Sequence, residues 1–189
     1  DQGGWGGRFD RYPKRNIWSG GCPVNDEAAW GDFAVFSDAG DLFPHKLTEK
    51  PTIDVYSPIT RWRIAYQNDF SARMDWCTHS FDGANHPPVV VVNGDHTLDV
   101  LQMYVSPGEI VSLDASQSSD PDGDQLVFKW WFYREPGTFR DLPEIRGEKA
   151  MIAEITMPEN SGELHLICEV IDDGTPPLVR YRRVVFNIK

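Results

Sequence analysis

The sequence lacks any apolar run approaching the ~18 residues that a membrane-spanning helix requires, which excludes a helical span. It also lacks a cationic excess. Asp+Glu number 29 against 18 Lys+Arg, and the formal net charge is −11. Phosphate binding needs a basic surface, so a nucleic-acid partner is excluded. Cysteine is scarce: Cys22, Cys77 and Cys168 are odd in number and without metal-ligand spacing, which excludes a disulfide framework and a zinc site. Buried free thiols are the expected state, with a single Cys22–Cys77 bridge as the alternative. The histidines, His45, His79, His86, His96 and His165, lack ligand spacing too. No catalytic triad, Cys–His pair or general acid/base pair can be assembled from these residues. The chain opens on Asp1-Gln2-Gly3-Gly4-Trp5 with neither Met nor signal peptide, and reads as a segment of a longer or processed protein.

What is present is tryptophan, glycine and proline. The first eight residues, DQGGWGGR, place glycines around Trp5 and Arg8. They lack the G-x-G-x-x-G spacing of a dinucleotide loop, and no helical run follows. The simpler reading is a tight loop in which glycine permits positive φ and Trp5 plugs an apolar gap. The functional reading is a pocket rim, with Trp5 as a stacking surface and Arg8 as an anion or hydroxyl clamp. Prolines and glycines then punctuate residues 9–58, so no long element survives there. A short helical turn over 25–36 is expected, and Asp26, Glu27, Asp32, Asp38 and Asp41 read as scattered, mostly solvated carboxylates.

Residues 59–76 carry the clearest helical period. Trp62, Tyr66, Phe70 and Trp76 are expected to share one face, Thr60 to help cap the start, and Asp69 and Arg73 to form a surface pair at i, i+4. Asp82-Gly83-Ala84-Asn85-His86-Pro87-Pro88 cannot continue a helix and marks a linker.

Beyond Pro88 the period becomes two. Strands are predicted over 89–92, 98–105, 110–114, 126–133, 149–157, 164–171 and 178–188, each closed by turn residues. Strands of that number and spacing predict an immunoglobulin-like β-sandwich over residues 85–189. The fold class is therefore mainly β, preceded by an irregular segment with one long helix.

The stretch 120–133 is the most informative. Parity puts Leu126, Phe128, Trp130 and Phe132 on the core face, with Cys168 a candidate neighbour of Trp130. Lys129, Trp131 and Tyr133 then face outward. Trp131 and Tyr133 are candidates for a planar sugar-stacking platform; burial against residues 59–76 is the simpler alternative. The preceding turn alternates Asp120, Asp122 and Asp124 around Gly123. An EF-hand is excluded: counted from Asp120, the sixth position is Gln125 rather than Gly and the twelfth Trp131 rather than Glu. Either the carboxylates cap their own turn, or they form a calcium turn of another type, with Asp172 or Asp173 nearby.

Val111-Ser112-Leu113-Asp114-Ala115-Ser116, Ser119-Asp120-Pro121-Asp122-Gly123-Asp124, Trp130 and Glu169-Val170-Ile171-Asp172-Asp173-Gly174 resemble bacterial sandwich domains of the polycystic-kidney-disease-repeat and cadherin-like type. A second set spans more of the chain: Gly3-Gly4-Trp5-Gly6-Gly7-Arg8-Phe9, Arg61-Trp62-Arg63, Gln67-Asn68-Asp69-Phe70-Ser71-Ala72-Arg73-Met74-Asp75-Trp76 and Asn85-His86-Pro87-Pro88. It resembles the C-terminal part of a bacterial family in which a nucleoside-hydrolase-like domain precedes a sandwich, and whose members are often described as cellulose-binding. The resemblance implies that residues 1–84 are the tail of the hydrolase-like domain and that the protein is secreted or periplasmic. Nucleoside hydrolases hold calcium and activate water with an N-terminal aspartate cluster. No such cluster opens this chain, so the resemblance implies catalytic machinery upstream of it. The expected role is a non-catalytic accessory module, with a polysaccharide or the upstream domain as partner. The alternatives are part of an N-glycosidase site and a structural spacer.

Overall fold

The computed structural model describes residues 9–11, 36–38, 40–44, 51–54 and 56–189. Trp5, Arg8, Cys22 and most of the turn expected over 25–36 lie outside the described residues. The chain forms two compact units, Asp1–Gln67 and Asn68–Lys189.

In the first unit β1 (Phe9–Arg11) pairs antiparallel with β2 (Phe36–Asp38), and β3 (Asp41–Pro44) with β4 (Pro51–Asp54). Asp41 is not solvated. Its carboxylate is buried and takes a charge-assisted hydrogen bond of 2.7 Å from Arg61 Nη1, the pairing a buried charge requires. The predicted helix is broken in two. α1 (Ser57–Thr60) starts with proline in its first turn, where a missing N–H costs nothing, and α2 runs from Arg63 to Thr78. The break falls at Arg61–Trp62, the residues committed to Asp41 and to burial. Thr60 ends α1 rather than capping a helix start, and the α1 N-cap position, Tyr56, makes no side-chain cap bond.

The expected four-aromatic face does not form. Phe70 is 56% exposed, whereas Ala72 is the buried residue of α2. Ala65, Asp69 and Trp76 lie three to seven residues from Ala72 on the same side, and Phe70 falls on the opposite side. From Asn68 onward α2 is tied to the sandwich by polar bonds. Asn68 Nδ2 donates to the Pro177 carbonyl at 2.8 Å, and Asp69 accepts from Arg73 Nε at 2.6 Å and from Arg180 Nη1 at 3.2 Å. The i, i+4 pair thus has a third member from a distant strand.

The sandwich has one sheet in the order β5 (Leu101–Val105), β11 (Val179–Ile188), β10 (Gly162–Ile171), β7 (Val127–Phe132). The other is β6 (Ile110–Asp114), β9 (Ile152–Thr156), β8 (Ile145–Arg146). All pairs are antiparallel except β5 with β11. β-Branched and aromatic residues make up most of β11, which pairs with β10 over its full length. The core between the sheets contains Phe128, Trp130, Leu166, Cys168 and Phe186 from the first and Val111, Leu113, Ala153 and Ile155 from the second. Trp130 is 1% exposed, its indole N–H is satisfied by the Ala150 carbonyl at 2.9 Å, and Cys168 is its cross-strand partner. Burial, with the Glu169 charge beside it, pushes the Cys168 thiol up to about 12. Cys77 is exposed.

Residues 89–92 make only isolated bridges, Val89 with Ser119 and Val92 with Asp95. The Ser118 hydroxyl explains this. It accepts the Val91 N–H at 3.0 Å and donates to the Val91 carbonyl at 3.3 Å, replacing a strand ladder by one side chain.

Candidate functional site

Two places on the sandwich bear on function: the outer face of the first sheet, and the loops at one end.

The outer face is buried at its centre and exposed at Tyr104 and Lys129. Tyr133 is 0% exposed and His165 3%, and Ile167 and Val185 are buried beside them. A sheet whose two faces are both buried reads as continuous apolar sequence, as residues 164–168 do. The expected outward platform therefore needs correction. Tyr133 has no surface to offer a sugar ring. Its ring meets that of Trp131 edge-on, at 6.1 Å and 62°, so the pair cannot underlie one flat chain. Trp131 is half-buried, and its indole N–H donates to Glu169 Oε2 at 2.8 Å.

His165 organises the polar part of this face. Arg183 Nε donates to its Nδ1 at 3.0 Å, with the second nitrogen of the same guanidinium also facing that atom. Nδ1 must then be the unprotonated nitrogen, and Nε2–H donates to the Glu163 carboxylate. Burial, reinforced by the Arg183 charge and opposed by Glu163, brings the imidazole down to about 4. The guanidinium also lies over the Tyr133 ring, 5.9 Å from its centroid. This neutral histidine between an arginine and a glutamate was not singled out by sequence. No spacing rule joins residues 163 and 165 to residue 183 before the β10–β11 register is known.

At the loop end, the acidic turn caps itself as one of its two readings required. Asp120 Oδ1 accepts the N–H of Asp122 at 2.8 Å and of Asp124 at 3.2 Å. Gly123 sits at φ 83°, which a glycine adopts without strain. The turn is also held from outside. The Asp122 carboxylate accepts the His86 N–H at 2.6 Å and faces His86 Nδ1 at 3.1 Å. His86 stacks on Trp76 and Phe81, and Trp76 Nε1 donates to the Asn85 carbonyl at 2.7 Å. Asp173 Oδ1 accepts the Gln125 N–H at 2.8 Å, joining the turn to the β10–β11 connection. Burial and the surrounding charges of Asp120, Asp173, Asp172 and Asp122 hold the Asp124 carboxyl above the usual aspartate range. Asp120, Asp122 and Asp124 each offer an oxygen, and these atoms lie within 4.8 Å of one another. Trp5 and Arg8 fall outside the described residues, so no geometry attaches to them.

Residues 110–188 match the family model for the C-terminal domain of the cellulose-binding protein Sde0182. That stretch is similar to the Sde0182 C-terminal domain. Over 99% of its length the chain is 34% identical to a solved Saccharophagus degradans structure, with a TM-score of 0.74. That protein is described as a nucleoside hydrolase-related hypothetical protein associated with carbohydrate metabolism, and the chain spans 42% of it. Other similar structures include the PKD domain of the KIAA 1837 protein and human CDH23 EC21-23. The first is 16% identical over 48% of this chain and 81% of that one, at a TM-score of 0.35. The second is 13% identical over 54% and 33%, at 0.34. At those scores neither carries an argument about this chain. A search of the curated proteins finds no match. The matched stretch includes Trp130, Trp131, the turn at Asp120–Asp124 and the residues Asp172 and Asp173. Among the described residues, no helix is long and apolar enough to cross a membrane.

Proposed function

We infer that this chain is the non-catalytic C-terminal portion of an exported bacterial protein of carbohydrate metabolism, and that its sandwich is an accessory module engaging a cellulose-like polysaccharide. The match of residues 110–188 to the C-terminal domain of a cellulose-binding protein carries this reading. With Tyr133 buried, what is left of the expected platform is the half-buried Trp131, next to the Glu169 carboxylate as a hydroxyl acceptor. Co-sedimentation with insoluble cellulose tests it. The chain is expected to pellet with cellulose, and Trp131→Ala to weaken that by at least tenfold while remaining folded. A wild-type chain left wholly in the supernatant of cellulose and related glucans overturns the reading.

A second reading is favoured by the 34% identity to a nucleoside hydrolase-related protein. Residues 1–84 would complete the tail of an N-glycosidase-type domain, with Trp5 and Arg8 on its pocket rim and the catalytic aspartates upstream of this chain. Hydrolysis of a chromogenic riboside by the full-length protein, lost on Arg8→Ala, is its expected signature. An inactive full-length protein overturns it. A spacer role is what remains if both tests fail.

A further inference from the structure

β11 pairs with β5 only over residues 184–188, so its first half has β10 on one side and no strand on the other. Beside that first half lies a cleft of about 230 Å³. It is lined by residues 87–90 of the entry segment, 96–98 of the loop before β5, and 180–182 of β11. Arg182 fixes one wall. Its side chain is 3% exposed; Nη1 donates to the Thr97 carbonyl, and Nη2 donates to Thr97 Oγ1 at 3.0 Å and pairs with Asp95 Oδ1 at 2.8 Å. Its buried Nε has no acceptor.

Arg180 is the accessible cation of the cleft, with a third of its side chain exposed. Its Nη1 is committed to Asp69 Oδ1 at 3.2 Å and to the Val179 carbonyl at 3.1 Å. Among the described residues nothing engages its Nε or Nη2. Asp69 also serves Arg73, so one carboxylate answers two guanidinium groups.

The free groups select the ligand. Arginine donates and never accepts, and the Nε–Nη2 edge is a fork that takes both oxygens of one carboxylate. In a chain of net charge −11, no carboxylate and no carboxamide lines this cleft. A neutral sugar presents hydroxyls that donate as well as accept, whereas an anion needs donors alone. The rest of the lining is largely apolar: two prolines, two valines, the Tyr181 ring and Leu98, which is 96% exposed. Pockets for whole small molecules run to ~300–1,000 Å³, so this smaller one takes a single ring-sized unit.

We propose that the cleft binds one uronic acid unit of an acidic polysaccharide, with its carboxylate on the free edge of Arg180 and its ring against the apolar wall of residues 87–90 and Leu98. The proposal rests on the reading of the sandwich as a polysaccharide-binding module but uses a different surface. Arg180 and Arg182 stand opposite Val170 and Cys168, on the sheet face away from Trp131, so the two can fail separately.

Sodium glucuronate titrated into the chain and followed by ligand-observed NMR is expected to bind in the millimolar range, with glucose and acetate each at least tenfold weaker. Arg180→Gln is expected to weaken glucuronate at least tenfold. Leu98→Glu, at a side chain that the fold leaves in water, is expected to do the same and keeps the test open if Arg180→Gln disturbs the Asp69 contact. Trp131→Ala is expected to leave glucuronate affinity unchanged. Silence across millimolar glucuronate, or full affinity in Leu98→Glu, overturns the site. Glucose binding as tightly overturns the carboxylate assignment, and acetate binding as tightly overturns the sugar. Loss of glucuronate in a folded Trp131→Ala places the ligand elsewhere and overturns the cleft. Glucuronate binding by a chain that ignores cellulose supports the cleft and refutes the cellulose-like ligand.

Discussion

Acid should destabilise this protein through His165 in a way that one substitution can isolate. The imidazole is neutral in the fold, accepting from Arg183 and donating to Glu163, and stands at about 4 against 6.5 for an unperturbed histidine. Its folded value lies below its unfolded one. The unfolded chain therefore binds a proton that the folded chain refuses, and stability from this group is complete above pH 6.5 and falls as pH drops toward 4. Between pH 7.5 and pH 4.5 linkage places the loss at about 2–3 kcal/mol, a large fraction of the ~5–15 kcal/mol typical of a folded domain. Other carboxylates titrate in the same interval, so a wild-type profile alone does not assign the loss. His165→Gln does, because glutamine keeps one acceptor for Arg183 and one donor for Glu163 but cannot be protonated. Urea unfolding of both proteins at pH 7.5 and pH 4.5 gives four free energies. The variant is expected to be the less stable at pH 7.5, and the gap to narrow by about 2–3 kcal/mol at pH 4.5. Parallel pH dependence of the two proteins would refute the buried neutral histidine.

Tyr133→Ala is expected to cost about 3–5 kcal/mol in thermal or chemical denaturation, as loss of a wholly buried aromatic does, and Trp131→Ala clearly less; equal costs would contradict the burial described. Mass-spectrometric mapping with a thiol reagent at pH 8 should label exposed Cys77 in the native protein and Cys168 only after unfolding, since the Cys168 thiol stands near 12. Gly174→Ala would drive its new carbon into the Asn85 carboxamide, on a side chain that is buried and held by two hydrogen bonds. A loss of about 1–3 kcal/mol in chemical denaturation is expected, and a neutral result would mean Asn85 is not held as described.

The strands of the sandwich were legible because each carries its own local signal. Ile110–Asp114 alternates between turn residues and appears with the predicted limits, and Val127–Phe132 falls inside the predicted 126–133. Trp130 in the core follows from parity alone, whereas its pairing with Cys168 comes from the β7–β10 register. Where the reading missed, a side chain from elsewhere had taken over a backbone role or a period had no room to register. Val91 pairs with the Ser118 hydroxyl instead of a strand, and Ile145–Arg146 is too short for any alternation to show. The helix break at Arg61 belongs to the same class, since its cause is a carboxylate twenty residues away.

The site was less legible, and the reason lies in what parity can and cannot say. Alternation assigned Tyr133 correctly to the face opposite Trp130, but nothing in a strand's own residues says whether that opposite face meets water. That depends on neighbours such as Ile167 and Val185, which come into register only once β7, β10 and β11 are paired. The acidic turn shows the converse. The spacing of Asp120, Asp122 and Asp124 made a cation thinkable, and the EF-hand count argued against it. Self-capping then accounted for one oxygen of Asp120 and left the other unexplained. Asn85 and Asp172, joined by a 3.1 Å hydrogen bond from Asn85 Nδ2 to Asp172 Oδ1, stand eighty-seven residues apart, a pairing that no spacing in the sequence announces.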